Sequence, residues 1–173
     1  MKCGGVDEAR QAQTPAAVIA LESPGQPEVR GLLRQSDAYH AELYPAESNH
    51  HLIAAAELER ANVRFLVARI DGAAVGCGAL LIGSDGVAEI KRMFVAPAAR
   101  RRRLGRALLC ALEAEAEAAG VRQVRLETGI HQAEALALYR SHGYRERGPF
   151  GSYRPDPLST FFEKPLPQRP AAQ

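Results

Sequence analysis

The sequence predicts an α+β (mixed α/β) fold: a central, mixed, mostly antiparallel twisted sheet of six to seven strands flanked by about four helices. Three observations lead there. β-rich runs separated by tight turn signals fill the stretch from Val63 to Val95. Two amphipathic stripes follow, one from Leu104 to Leu112 and one from Ala135 to His142, and they alternate with further β-rich runs. The resulting order, β-α-α-β-β-β-α-β-α-β-β, gives a mixed sheet with helices on its faces.

The elements follow in chain order. Residues 1–14 are polar and small without a period and read as a disordered leader. Residues 15–165 read as one domain, and residues 166–173, rich in Pro, Gln and Ala, as a flexible tail. Ala16 to Leu21 is a short apolar run ended by Ser23-Pro24-Gly25, a first strand. Val29, Leu32, Leu33, Ser36, His40 and Leu43 fall at helical spacing, with Pro27 at the start and Pro45 as the stop. A polar turn at Glu47 to His50 precedes a second helical piece, His51 to Arg60. Val63–Ile70 and Ala74–Ile82 form a hairpin across Asp71-Gly72, and Val87–Val95 returns after the turn Gly83 to Gly86. In that third run Ala88 and Ile90 are apolar at even positions, Met93 and Val95 at odd ones. A regular strand cannot change faces, so a β-bulge near Lys91-Arg92 is expected in the strand ending at Val95. Leu104, Ala107, Leu108, Ala111 and Leu112 make the clearest helical stripe, closed by Gly120. Gln123–Thr128 is a strand, and Ala135, Leu138, Tyr139 and His142 a stripe ended by Gly143. Tyr144–Phe150 and Ser159–Lys164 close the sheet.

Composition narrows the function. The chain has 173 residues, 46% hydrophobic and 24% charged, with a net charge of +2, the balance of one globular domain. No global field argues for a nucleic-acid or membrane partner, no apolar run has the length of a membrane span, and the N-terminus lacks a signal-peptide core. Cys3, Cys77 and Cys110 show no metal-ligand spacing, so no metal is expected. An odd count without a framework reads as reduced thiols in the cytoplasm, with Cys77 and Cys110 as small buried hydrophobes.

Basic character is local, in Arg100-Arg101-Arg102-Arg103 with Arg106 close behind. A strand, a bulge, Pro97, this turn and a helix opening Leu104-Gly105-Arg106-Ala107 build an anion site. A helix start offers unpaired N–H groups and partial positive charge, Gly105 permits close approach, and arginines add charge-assisted contacts. A nucleic-acid patch and a solvated charge run are the competing readings of the same arginines.

Here the chain resembles the GNAT superfamily of N-acetyltransferases, over about Pro27 to Lys164. The first anchor is Glu89 to Leu109 (EIKRMFVAPAARRRRLGRALL), similar to the family's acetyl-CoA motif Arg/Gln-x-x-Gly-x-Gly/Ala, with Arg103 where the family has its first glycine. The second is Gln132-x-x-Ala135-x-x-Leu138-Tyr139-x-x-x-Gly143-Tyr144, with Gln132 in place of the usual Asn. The resemblance implies acetyl-CoA as co-substrate. It implies backbone contacts from Met93, Phe94 and Val95 to the pantetheine arm, and a pyrophosphate on Arg100 to Ala107. It also implies that Gln132 and Ala135 lie beside the cofactor, that Tyr139 protonates the leaving thiolate and that Glu89 is the general base. Independently of the resemblance, His50 beside the polar turn is an alternative base.

An amine nucleophile is mostly ammonium at neutral pH, so some group must take its proton, and a departing thiolate needs a donor. Lys91 on the same face also makes Glu89 a candidate for an ordinary ion pair, and a Tyr on a helical stripe also reads as core. The acceptor, a primary amine on a small or amino-acid-like molecule, is expected between the N-terminal helices and the last hairpin loop. Tyr44, Glu47, Ser48 and His50 lie on one side; Tyr153, Arg154 and Asp156 lie on the other. A non-catalytic acyl-CoA-binding or protein-interaction module remains the alternative function, and pairing into a homodimer stays open.

Overall fold

Turn chemistry and one irregular strand set the architecture. The computed structural model describes residues 16–45 and 53–167. A short β1 (Val18–Leu21) pairs antiparallel with β2 (Val63–Ile70). Asp71 (φ 48°) and Gly72 (φ 82°) take the paired left-handed conformation that matches hairpin twist, and the chain returns as β3 (Ala73–Ile82). Gly86 (φ 78°) turns it again into β4 (Val87–Val95). Helix α2 (Leu104–Ala118) crosses over to β5 (Gln123–Gly129), and α3 (Ala133–Ser141) leads to β6 (Arg145–Arg147) and β7 (Ser159–Pro165). The seven strands lie in the order β1-β2-β3-β4-β5-β7-β6, and only the β4–β5 pair is parallel.

Each face of the sheet buries one apolar layer. Helix α1 (Pro27–Leu43) places Val29, Leu32 and Leu33 against Phe65, Val67, Cys77, Ala79 and Phe94. Helix α2 covers the other face, where Leu108, Leu109, Leu112 and Ala116 meet Leu66, Leu80, Ile90, Leu126 and Phe162. Burying a side chain of this size contributes about 1.5–3 kcal/mol, so these layers hold the sheet rigid between the helices.

The bulge expected from the change of parity is present. Cys77 pairs with Phe94 and Ala79 with Lys91, so Gly78 alone faces both Arg92 and Met93. Arg92 takes a left-handed φ of 58°, which returns Met93 and Val95 to the α2 side. Gly78 leaves room for two side chains there: a Cβ would lie 2.9 Å from Leu112 Cδ1 and 3.0 Å from the Met93 sulfur, so both would have to shift.

Several local expectations are corrected. The piece from His51 to Arg60 is a short 3-10 turn at Ala55–Glu59, because Leu58 is its sole buried anchor; residues 51 and 52 lie outside the described residues. Three α-helices and two 3-10 turns thus flank the sheet among the described residues, the second turn being Pro97–Ala99. Ala107 is exposed and Leu109 buried, because α2 rests on its Leu104, Leu108, Leu112 row. Cys77 is fully buried, which pushes its thiol up to about 12, but Cys110 is exposed on the outer side of α2. Leu166, assigned to the flexible tail, is buried, and its amide donates to the Arg122 carbonyl at 2.9 Å. Residues 1–14 and 168–173 lie outside the described residues.

Gly78→Ala should cost about 1–3 kcal/mol of unfolding free energy, since the added methyl must displace Leu112 and Met93 from a filled core. Chemical denaturation of the two proteins measures this, and an unchanged midpoint would mean that the bulge has slack.

Candidate active site

The site originates where two parallel strands part. β4 and β5 are paired from Val87↔Gln123 to Ile90↔Leu126 and no further, although both strands continue. The bulge at Arg92 turns β4 away immediately after the last pair. Beyond it, Phe94 and Val95 remain bonded to β3, while their β5 side has no strand partner. Two cavities open from this wedge, one toward α2 and one toward α1.

The cavity on the α2 side is lined by Met93, Phe94 and Val95, by Arg100, Arg101 and Arg103, by Leu104, Gly105 and Arg106, and by Gln132, Ala135, Leu138 and Tyr139. Arg101 (φ 63°) and Arg103 (φ 58°) are both left-handed. Such residues in a turn bring successive amides to one side as an anion-binding nest. Arg103 caps α2 without a side-chain bond, so the first amides of the helix point the same way. A non-glycine residue in this conformation costs about 1–2 kcal/mol. Arg103 adopts the geometry in which the family motif keeps glycine. Arg100 Nε donates to the Val95 carbonyl at 3.3 Å, and its guanidinium lies 4.9 Å from the Tyr39 ring centroid, which ties the turn to the strand end.

Arg102 and Ala107 do not line this cavity. Arg102 is exposed, and the Ala107 amide is already bonded to the Arg103 carbonyl at 3.1 Å.

The cavity on the α1 side is lined by His40 and Tyr44, by Ile90 to Met93, by Glu127, Thr128 and Gly129, by Gln132 and Tyr139, and by Asp156, Leu158 and Ser159. Met93, Gln132 and Tyr139 line both cavities and so form the boundary between them. Tyr139 is 4% exposed; burial first, and the Glu127 carboxylate second, push its pKa up, so the phenol is protonated at neutral pH. Glu127 accepts a hydrogen bond from the Ser159 hydroxyl at 2.6 Å.

Tyr44 is buried at this cavity's edge. Its hydroxyl accepts the His131 amide at 3.0 Å, and its ring stacks on His131 at 5.4 Å. Gly129 makes room for it: a Cβ there would stand 2.0 Å from the Tyr44 oxygen.

Glu89 lines neither of these two cavities. It sits where the strands are still paired, opposite Arg125, one step below the wedge. Its carboxylate accepts the Tyr153 hydroxyl at 2.5 Å and pairs with Lys91 at 3.2 Å. Lys91 also donates to the Tyr153 oxygen. Tyr153 is likewise outside both cavities, wedged beside Phe150 and Phe161, where it anchors the loop that carries Asp156. Arg154 is exposed. Glu47, Ser48 and His50 lie outside the described residues. His40, Glu127 and Ser159 were not singled out from sequence. His40 and Ser36 are polar positions on the apolar stripe of α1, and Glu127 alternates with buried Leu126 and Thr128, but only the wedge gives these positions a cavity to face. No trio of metal-ligating side chains occurs among the described residues.

The Acetyltransferase (GNAT) family model matches residues 28–144. The chain belongs to the GNAT family of acetyltransferases. It is 53% identical over 153 residues to a protein named IAA acetyltransferase from Azospirillum brasilense, covering 88% of this chain and 99% of that one. Among solved structures it is similar to an acyl-CoA N-acyltransferase candidate from Klebsiella pneumoniae, with TM-score 0.74 and 40% identity, covering 87% of this chain and 97% of that one. The fold is shared by the PaiA N-acetyltransferase of Thermoplasma acidophilum, solved with coenzyme A (TM-score 0.68, 18% identity, 87% and 99% covered). As a GNAT enzyme the chain is an N-acyltransferase.

Arg103→Gly should bind coenzyme A at least as tightly as the parent and melt higher, since glycine removes the cost of the left-handed cap. Calorimetric titration and thermal melting test this together, and a large loss of affinity would show that the Arg103 side chain makes an essential contact. Gly129→Ala should displace Tyr44 and weaken acceptor use while sparing coenzyme A affinity; steady-state kinetics beside the same titration checks the separation.

Proposed function

We propose that this enzyme moves an acetyl group from acetyl-CoA to a primary amine of a small, amino-acid-like molecule, by direct transfer with both substrates bound. One observation carries the reading: a cationic nest and a carboxylate-bearing cavity open from the same wedge and share the wall Met93, Gln132 and Tyr139. The residues suit the ligand. The amides around Arg101 to Arg106 and the flanking guanidiniums meet the needs of a pyrophosphate. The unpaired edge of β4 from Met93 to Val95 matches the amide groups of a pantetheine arm.

Acetyl-CoA supplies an activated acyl group, and the chain's residues do the rest. A backbone N–H at Phe94 or Val95 is placed to stabilise the carbonyl oxygen as it gains charge. Tyr139, held protonated, donates to the leaving sulfur. Glu127 and Asp156 attract the acceptor's ammonium.

Coenzyme A at about 100 times its Kd should stabilise the fold by about 2.7 kcal/mol, read as a rise in melting temperature. Thiol release should then appear with members of a panel of amino acids and their amides, with IAA, the compound in the name of the 53%-identical relative, tested beside them. Absence of both heat and a melting shift would defeat the reading. Glu127→Gln should raise the KM for the amine about tenfold or more with a smaller change in kcat, because the lost contact is to a charged group.

A further inference from the structure

The reaction needs a proton acceptor within reach of the amine, and Glu89 is outside the cavity. We propose that His40 is the general base, its Nε2 taking the proton from the acceptor's ammonium; this rests on the transfer reading above. The tautomer is set by the helix. His40 Nδ1 lies 2.7 Å from the Ser36 carbonyl, which can only accept, so Nδ1 carries the hydrogen and Nε2 the lone pair. That lone pair faces the Gln132 amide nitrogen at 3.3 Å, and Gln132 is one of the three residues on the boundary between the cavities. The contact is longer than a good hydrogen bond and can yield to an incoming amine. The base is therefore aimed at the place where amine and thioester meet.

The imidazolium that results is also provided for. His40 sits in the last turn of α1, and its Nδ1–H keeps the same Ser36 carbonyl as acceptor after Nε2 has taken a proton. The other titratable and charged groups around the ring are Tyr39 of α1, Tyr44 just after it, Lys91 and Arg92 of β4, Glu127 of β5, Tyr139 of α3 and Asp156 of the loop. Of the carboxylates, Glu127 accepts from Ser159 and Asp156 from the Leu158 amide, and both serve better as anions that hold the ammonium.

The protons balance. The ammonium gives one proton to His40 Nε2, and the freed lone pair forms the C–N bond as the C–S bond breaks. The nitrogen's second proton ends on the sulfur by way of the Tyr139 hydroxyl, and His40 releases its proton to solvent. Thioester and ammonium become amide, thiol and one proton.

Two small nucleophiles separate a base from a merely structural histidine. Ethylamine is an ammonium ion at neutral pH and needs a base; hydroxylamine is already neutral and does not. With acetyl-CoA at neutral pH, His40→Gln should lower kcat/KM for ethylamine by about 100-fold and leave hydroxylamine acetylation and coenzyme A affinity close to the parent's. The deficit toward ethylamine should shrink as pH rises and free amine accumulates, and His40→Asn should behave alike. Equal losses for both nucleophiles, or a retained ethylamine rate, would overturn the base role and leave the transfer reading standing. A parent protein that acetylates neither these probes nor any amine of the panel would overturn both.

Discussion

Everything at the site depends on the parting of β4 from β5. Parallel strands normally continue their ladder, and every broken pair leaves backbone groups that must find other partners. Here the ladder stops at Ile90↔Leu126 because Arg92 adopts a left-handed conformation opposite Gly78. The rigid layers on both faces keep the gap from collapsing: α1 locks Phe94 from one side, and α2 locks Met93 and Val95 from the other. A bulge alone would give a bent strand. A bulge clamped between two packed helices gives a permanent slot along a strand edge that β5 no longer pairs.

The same clamp explains why costly conformations cluster in one short region. Arg92, Arg101 and Arg103 are left-handed non-glycine residues within the stretch from β4 to the start of α2. Each costs on the order of 1–2 kcal/mol, and together they would be poorly tolerated in a protein without a firm core nearby. Their effect is directional. Arg92 re-aims the strand, its side chain is tied down by Asp37 of α1, and Arg101 and Arg103 line the cavity. Arg100 joins the two ends by bonding Val95 and covering Tyr39.

Much of this frame was legible in the sequence. The switch of apolar parity between Ile90 and Met93 has no other economical meaning than a bulge, and Asp71-Gly72 and Gly120 announce their turns. The arginine turn before an apolar helix announces a ligand-facing turn, and the structure places Arg100, Arg101, Arg103 and Arg106 on a cavity wall. What was not legible is which polar side chains share a space across elements. Glu89 precedes the bulge and looks poised, yet its partner strand is still paired there, so Tyr153 and Lys91 enclose it instead. His40 lies 92 residues from Gln132 in sequence, and nothing local links them. A polar residue on an apolar stripe is the sole trace that such a pairing leaves. The marginal elements failed for a different reason: the piece around Leu58 buries too little to sustain an α-helix, and Cys110 shows that an apolar neighbourhood in sequence does not ensure burial on a helix.

On the proposed transfer, the wall between the cavities would also couple the two halves of the chemistry. Glu127 helps to hold the Tyr139 phenol protonated, and the same carboxylate would be the seat of the acceptor's ammonium. A cation at Glu127 cancels part of the field that Tyr139 feels, which lowers the phenol's pKa and makes it a stronger acid. If Tyr139 is the donor, it would thus gain acidity when an acceptor is present and be least willing to lose its proton when the cavity is empty. Electrostatics of this kind would discourage thioester loss to water, because the leaving sulfur would find its best proton donor once the amine has arrived. Tyr139 is fully enclosed, Glu127 is tethered by Ser159, and both belong to elements packed in the core, so the coupling needs no movement of the backbone.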